Sequence, residues 1–433
     1  MALSLRVLTL LIGRATATAC TRCDEAAKIL KNDCESSKYP DCSWSTESYK
    51  DCGGWGCVTG NSPTPAPGPP GPAHDGSYTC VGPDGNDVDW WFTYIHPDGL
   101  AHAYYDSSDR TGAFHVFENE PTTGAFGKTI AALYAGKAAG NVAWVTYNDE
   151  LRGGGAREQQ LQRARLANAS ASETSAHAKG ALLTNGTAGF WLVHSVPKLL
   201  DVDASEFSWG AAKTYGQSML CLSLGAADVE IAATQLTQMA LHATLNSVSS
   251  VPSALQSRFP RFVALLNGEE PTQAAGAAQI TTLGGTSFTS FAKRGSWGKD
   301  LYEDLVQPQL GINMAWETWR RSPYLESFCK VGGYAFDSVN VEYISLFPGE
   351  PPFHYTKDHA KWGITLPADE GEPTEGGDDD ASPAGTWLCV GGINRMASQY
   401  KRGGGTLCGR TEGADELGAV LTAIVTQRDN CSG

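Results

Sequence analysis

The sequence predicts an α/β fold preceded by a small disulfide-rich module, and three observations carry that expectation. The run "GFWLVHSV", Gly189 to Val196, is apolar and bounded by Gly and Pro197, as a buried strand is. In "ADVEIAATQLTQMALHATL", Val229, Ala233, Leu236 and Ala240 recur at helical spacing, which reads as a core helix. The third observation is a weak internal repeat. His-Ala-Lys occurs at His177–Lys179 and again at His359–Lys361, each followed by a glycine and then by a Gly-x-Trp-Leu strand onset. Two divergent copies of one layered unit would leave that trace.

From the N-terminus, residues 1–19 resemble a secretory signal peptide. Arg6 precedes a short apolar stretch and a small-residue exit before Cys20, although Arg14 interrupts the pattern. Six cysteines then crowd residues 20–60: Cys20, Cys23, Cys34, Cys42, Cys52 and Cys57. So short a segment cannot rest on an apolar core, which points to a disulfide-stapled module. Cys20-x-x-Cys23 also fits half a zinc site, but no matching half accompanies it and oxidising surroundings favour disulfides, so no metal is expected. The Pro/Gly-rich stretch 61–77 reads as an extended linker, with the main body starting near Tyr78. Asn168, Asn185 and Asn430 head possible glycosylation triplets.

Composition narrows the function. The chain has 433 residues, 41% of them hydrophobic, and no run of apolar residues long enough for a membrane span after the leader. A formal charge of −15 argues against general polyanion binding at neutral pH. Protonating the nine histidines would bring it to −6, and carboxylates titrate near roughly 4, so acid pH changes that balance. Serine-hydrolase chemistry is not indicated, since "YGQSMLC" lacks the G-x-S-x-G elbow, and H-E-x-x-H is absent.

The repeated His-x-Lys carries the chemistry. On a strand, residues two apart share a face, so His177 would project with Lys179 and His359 with Lys361. Two histidines meeting across a pseudo-twofold could divide the labour of phosphodiester cleavage, one attacking phosphorus and the other protonating the leaving oxygen. The lysines would hold the non-bridging oxygens without a metal or other cofactor. The bland alternative is two surface dipeptides with solvated lysines.

The body resembles deoxyribonuclease II, the acid endonucleases of the phospholipase D-like group. The resemblance rests on "VDWWFTYIHP", "VTYND", "HAKG…GFWLVHSVP", "YGQSMLCLS", "SFAK…WGKDLYEDL", "DHAKW", "WLCVGGINR" and "QYKRGGGTLC", in family order from about residue 78 to the C-terminus. It implies metal-independent hydrolysis of double-stranded DNA at acid pH, leaving 3′-phosphate ends. It also implies two phospholipase D-like repeats, 78–235 and 236–433, forming one active site. His177, Lys179, His359 and Lys361 take the catalytic positions, with a slight preference for His359 as nucleophile. His194 and Asn394, in related places after each Trp-Leu onset, are expected to bind phosphate or orient a histidine, with Arg395 and Arg402 in support. For His194 a satisfied core histidine is the alternative. The acidic residue that the wider superfamily carries after the lysine is not apparent in "GALLTN" or "WGITLP". The pairing implied is Cys80–Cys221, Cys329–Cys431 and Cys389–Cys408.

Two stretches stay open on sequence. "KRGGGT", Lys401 to Thr406, fits either a phosphate-wrapping loop or a plain glycine turn. The seven carboxylates of 368–380 fit either a solvated face or a segment repelling DNA at neutral pH. The expected location is the secretory pathway, in a lysosome or another acidic compartment or outside the cell. A phospholipase D-like phosphodiesterase on lipid headgroups, and a secreted toxin or binding protein acting through the cysteine module, are the competing classes. The ligand of that module and the oligomeric state, a homodimer included, are left open by the sequence.

Overall fold

Valine-, leucine- and aromatic-rich runs pair into two β-sheets, and strand register decides where every site residue falls. The computed structural model describes residues 42–45, 56–59, 78–119, 121–149, 176–200, 209, 213–240, 250–329, 334–366, 386–411 and 416–429. The chain divides into two compact units, Met1–Gly68 and Pro69–Gly433. Of the first unit only an antiparallel pair is described, β1 (Cys42–Ser45) against β2 (Gly56–Thr59). The leader, the rest of the cysteine module, the 61–77 linker and the acidic stretch 368–380 lie outside the described residues.

The second unit is mixed α/β. After a short pair, β3 (Cys80–Val81) and β4 (Asp87–Val88), comes a seven-stranded antiparallel sheet. Its strands are β5 (Trp90–Ile95), β6 (His102–Asp106), β7 (His115–Phe117), β8 (Ala143–Tyr147), β9 (Gly180–Thr184), β10 (Ala188–His194) and β11 (Gln217–Gly225). They lie in the order β7-β6-β5-β11-β10-β9-β8. The second sheet contains β12 (Ala275–Thr281), β13 (Ser287–Lys293), β14 (Met314–Glu317), β15 (Ser338–Ile344), β16 (Phe353–His354), β17 (Trp362–Thr365), β18 (Thr386–Gly391), β19 (Gly404–Thr411) and β20 (Val425–Arg428). Its order is β12-β13-β19-β18-β17-β14-β15-β16, with β20 also on β15 and only β14–β15 parallel.

Five neighbouring strands correspond one to one, β5-β11-β10-β9-β8 in the first sheet and β13-β19-β18-β17-β14 in the second. Each His-Ala-Lys leads directly into the equivalent strand, β9 or β17. Register extends the match: Tyr147 lies opposite Gly180 and Glu317 opposite Trp362, the residues that follow the two lysines.

The inner faces of both sheets share one core, in which Phe92, Tyr94, Leu220 and Leu222 meet Trp362, Ile364, Leu388 and Val390. Replacing a fully buried tryptophan such as Trp362 by alanine would cost about 3–5 kcal/mol. Helix α1 (Ala125–Ala139) covers the outer face of the first sheet. Helix α2 (Ala226–Gln238) puts Val229, Ala233 and Leu236 into the shared core, as their spacing predicts, and α3 (Pro260–Asn267) packs beside it. Helix α4 (Leu417–Ile424) packs on β18 and β19. Helix α2 stops before Ala240, which turns into the left-handed region at φ 56°. The backbone of Gly403 passes there so closely that a Cβ on it would sit 1.9 Å from the Met239 carbonyl oxygen. Only glycine allows that approach.

Two of the implied disulfides are present. Cys80–Cys221 ties β3 to β11, and Cys389–Cys408 joins directly opposed residues of β18 and β19 with Cα atoms 4.0 Å apart. Cys329 is also disulfide-bonded, but Cys431 lies outside the described residues.

Candidate active site

Both His-Ala-Lys segments are buried where the two sheets meet, with each alanine turned into the core. His177 and His359 are 6% and 4% exposed, and Lys179 and Lys361 are 1% and 0%. Neither pair is a solvated surface dipeptide. Each histidine is held by the opposite half of the molecule. The His177 backbone N–H donates to the Gly403 carbonyl at 2.8 Å, and the His359 N–H donates to the Gly216 carbonyl at 2.8 Å. These glycines are register equivalents, because His194 lies opposite Met219 and Gly391 opposite Thr406.

The rings follow the same reciprocal pattern. His177 Nδ1 lies 2.7 Å from Oε1 of Gln399, in the 3₁₀ turn Ala397–Lys401 before β19. His359 Nδ1 lies 3.0 Å from the Ser195 carbonyl and 3.3 Å from Oε1 of Gln217, the first residue of β11. A carbonyl only accepts, so His359 Nδ1 carries the proton and Nε2 holds the lone pair. The Lys361 ammonium, 3.2 Å from the same Nδ1, donates to the His359 carbonyl.

The two half-sites differ most beside the imidazoles, two residues past the ends of β8 and β14. Asp149, two residues past the end of β8, places its carboxylate on the Lys179 ammonium and 3.3 Å from His177 Nε2. Arg402 reaches the same carboxylate at 3.4 Å. The equivalent position past β14 is Trp319, whose ring packs edge-on to His359 with centroids 4.3 Å apart. One histidine therefore faces a carboxylate and the other an aromatic ring.

Burial sets the electrostatics. It pushes His177 well below the ordinary imidazole range, and Lys179, Arg402 and Lys361 push the same way. His359 is lowered by burial, then by Lys361, Lys179 and His177. The Asp149 carboxylate favours an imidazolium at His177, but in the substrate-free protein burial and three cations outweigh it. Burial also lowers Lys361, chiefly with Lys179. Behind Lys361, Asp358 accepts from the Tyr94 hydroxyl and is raised by burial to about 6. Glu317 is fully buried with neither oxygen hydrogen-bonded, and burial followed by Asp358 raises it strongly.

The other expected site residues divide. Arg402 joins the site through Asp149 and the Ala176 carbonyl. His194 is buried beside Lys179, whose carbonyl accepts its backbone N–H. Neither ring nitrogen has a hydrogen bond of normal geometry, and burial and Lys179 push it down to about 3, so it is neutral. Its register equivalent is Gly391, not Asn394, which lies three residues further along and leaves its buried Oδ1 unpartnered. Arg395 points elsewhere, donating to Glu303, Asn340 and the carbonyls of Leu325 and Glu326. Lys293, buried at the end of β13, donates to the carbonyls of Gln399, Tyr400 and Arg402 at 2.8–3.1 Å, so it pins the segment that holds His177. The glycines of "KRGGGT" serve close packing: a Cβ on Gly405 would lie 2.2 Å from Met239 Cε.

Asp149, Ser195, Gln217, Trp319, Lys293 and Gln399 had no sequence signal of their own. Asp149 ends "VTYND" and Gln217 sits in "YGQSMLC", but nothing in either stretch says which histidine it would meet. The carboxylate beside the first His-x-Lys comes from Asp149, two residues past β8, and not from the residues after Lys179. Among the described residues, no three His, Cys, Asp or Glu side chains are grouped to hold a metal ion.

The chain is similar to known proteins over most of its length. A family model described as Deoxyribonuclease II matches residues 79–431. Deoxyribonuclease-2-alpha of Bos taurus is 30% identical over 350 residues, covering 77% of this chain and 86% of the relative. Deoxyribonuclease-2 of Caenorhabditis elegans is 30% identical over 389 residues, covering 82% and 94%. Plancitoxin-1 of Acanthaster planci is 30% identical over 347 residues, covering 76% and 87%.

Proposed function

The chain belongs to the deoxyribonuclease II family and is a deoxyribonuclease, and from that premise we propose how it cuts DNA. It is an endonuclease that hydrolyses phosphodiester bonds at acid pH without divalent metal, leaving 3′-phosphate and 5′-hydroxyl ends. The observation that carries this reading is the reciprocal clamp, two buried histidines each flanked by a buried lysine and each held by the other half. The matched strand order supports a phospholipase D-like architecture of two repeats, 78–235 and 236–433, sharing one centre.

His359 is the nucleophile, because its Nδ1–H is committed to the Ser195 carbonyl and its Nε2 lone pair is free to attack. The Nε2–P bond forms as the P–O5′ bond breaks, and His177, as imidazolium, protonates the departing 5′-oxygen. Gln399 and Asp149 face its two nitrogens and support that charged form. Water then attacks phosphorus as the Nε2–P bond breaks and returns its electron pair to His359, the water's proton passing to His177 as base, and the phosphate stays on the 3′-oxygen. Lys179, Lys361 and Arg402 supply the positive charge that the equatorial oxygens require.

Acid dependence follows from the sign of the shifts. Two imidazoles lowered by burial and cations are both neutral near pH 7, and the singly protonated pair forms only in acid. An anionic phosphodiester offsets the lysines and favours the imidazolium, so binding assists protonation. The acidic requirement fits the lysosome or another acidic compartment of the secretory pathway, and no described helix is long and apolar enough to cross a membrane.

Plasmid nicking in EDTA, scanned from about pH 4 to 8 for wild type and His359→Ala, tests the proposal. Acid-confined, EDTA-insensitive nicking that the substitution abolishes is expected, with 3′-phosphate termini on end analysis. EDTA-sensitive cleavage, or cleavage surviving His359→Ala, would overturn it.

A further inference from the structure

Trp319 and Arg402 are half-buried in a site whose other members are almost wholly enclosed. The Trp319 ring touches His359, the half-buried Tyr215 ring lies 5.2 Å from it at 37°, and the exposed Arg321 guanidinium lies 4.3 Å from its centroid. Beyond it, Arg320 is buried against the Tyr355 ring at 3.7 Å and ion-paired with Glu342 at 2.9 Å, which braces the segment from behind. Tyr324, 39% exposed, lies against the same guanidinium. Rings and arginines alternate outward from a catalytic histidine, the surface chemistry that receives nucleobases by stacking.

Resting on the nuclease reading above, we propose that Trp319, with Tyr215 and Arg321, forms a one-sided subsite for the nucleobase on the 5′ side of the scissile phosphate. The direction follows from the asymmetry of the half-sites. In-line displacement puts the leaving 5′-oxygen opposite His359, so the departing nucleotide lies towards His177 and Asp149. The nucleotide that keeps the phosphate is the one that reaches the His359 side, where Trp319 offers a π-face. Asp149, at the equivalent position of the other half, has no face to stack on and is already engaged by Lys179. Among the described residues, no aromatic ring stands at that position for a base on the leaving nucleotide; Arg402 there is ion-paired with Asp149. Stacking on Trp319 is sequence-tolerant, because every base has a face, and it acts on positioning while His177 and His359 do the chemistry.

The test uses end-labelled single-stranded oligonucleotides in which one nucleotide is replaced by an abasic tetrahydrofuran, cut by the full chain at acid pH and read linkage by linkage. Cleavage just 3′ of the abasic residue should fall about tenfold relative to the intact strand, while cleavage just 5′ of it changes less than about threefold. In Trp319→Ala the contrast between the two linkages should vanish, and in Trp319→Phe, which keeps a ring, it should persist. Equal losses at both linkages, or a contrast that survives Trp319→Ala, would overturn the subsite and leave the nuclease reading standing. No cleavage of the intact oligonucleotide by wild type that nicks plasmid in parallel would overturn the subsite alone, and no cleavage of either substrate would overturn both.

Discussion

Gln399 and Gln217 make the same type of contact in the two half-sites, yet their loss should be unequal. Oε1 of Gln399, 2.7 Å from His177 Nδ1, is the only hydrogen-bond partner of that nitrogen among the described residues. Gln399→Leu keeps the bulk and removes the acceptor, leaving a buried N–H orphaned at about 1–3 kcal/mol. If that penalty falls on the competent ring orientation, kcat drops by about 5- to 150-fold, at tenfold per 1.4 kcal/mol. His359 Nδ1 has a second acceptor in the Ser195 carbonyl at 3.0 Å, shorter than its 3.3 Å contact with Gln217. Gln217→Leu should therefore cost less than about fivefold. Single-turnover nicking at acid pH, corrected for folded protein by thermal melting of each variant, measures both. Equal losses, or a larger loss for Gln217→Leu, would refute the assignment of acceptors and with it the tautomer argument for His359.

The remaining predictions concern charge. Asp149→Asn keeps the shape but withdraws the carboxylate that favours the His177 imidazolium, so the alkaline limb of the kcat profile, where the general acid loses its proton, should move to lower pH; an unmoved limb would dissociate Asp149 from His177 titration. Lys293→Met strips the ammonium from three carbonyls of residues 399–402, so kcat should fall at least about tenfold with KM changed less, and Lys293→Arg should restore part of it. Asp358, raised to about 6, stabilises the fold below its unfolded value near 3.8 and loses that contribution as pH rises through 6. A shift of about two units is about 3 kcal/mol, so Asp358→Asn should raise the melting temperature at pH 7.5 and leave it nearly unchanged at pH 4; a uniform change at both would refute the shift.

What the sequence made legible were features written in contiguous residues. The apolar run at 189–196 became β10, the spacing of Val229, Ala233 and Leu236 became α2, and both His-x-Lys pairs entered the site. Contacts made between the two halves left no local signature. Gln399 meets His177 from 222 positions away and Ser195 meets His359 from 164. The place of His194's counterpart misleads for a related reason. Aligning the Trp-Leu pairs is one residue out of step with the strand register, which puts Gly391 where His194 stands. Arg395 looked like a phosphate ligand because it follows Asn394, but its guanidinium is consumed by Glu303, Asn340 and two carbonyls in the second half.

On the proposed mechanism, the reciprocal clamp makes the site competent only as a whole. His177 is oriented by Gln399 and Gly403, and His359 by Ser195 and Gly216, so neither half carries a complete catalytic histidine by itself. Separation of the sheets would expose the shared core and disorient both rings at once, tying catalytic competence to cooperative folding. Within that near-symmetric frame, the exchange of Asp149 for Trp319 sets a charge beside one imidazole and not beside the other. A carboxylate favours the charged ring beside it, and an aromatic edge leaves the other ring neutral. Two identical half-sites would gain and lose protons together over the same range, with no preference for which histidine holds the proton. The exchange breaks that degeneracy, and on the proposed mechanism burial beside the lysines then carries the singly protonated pair down to acid pH.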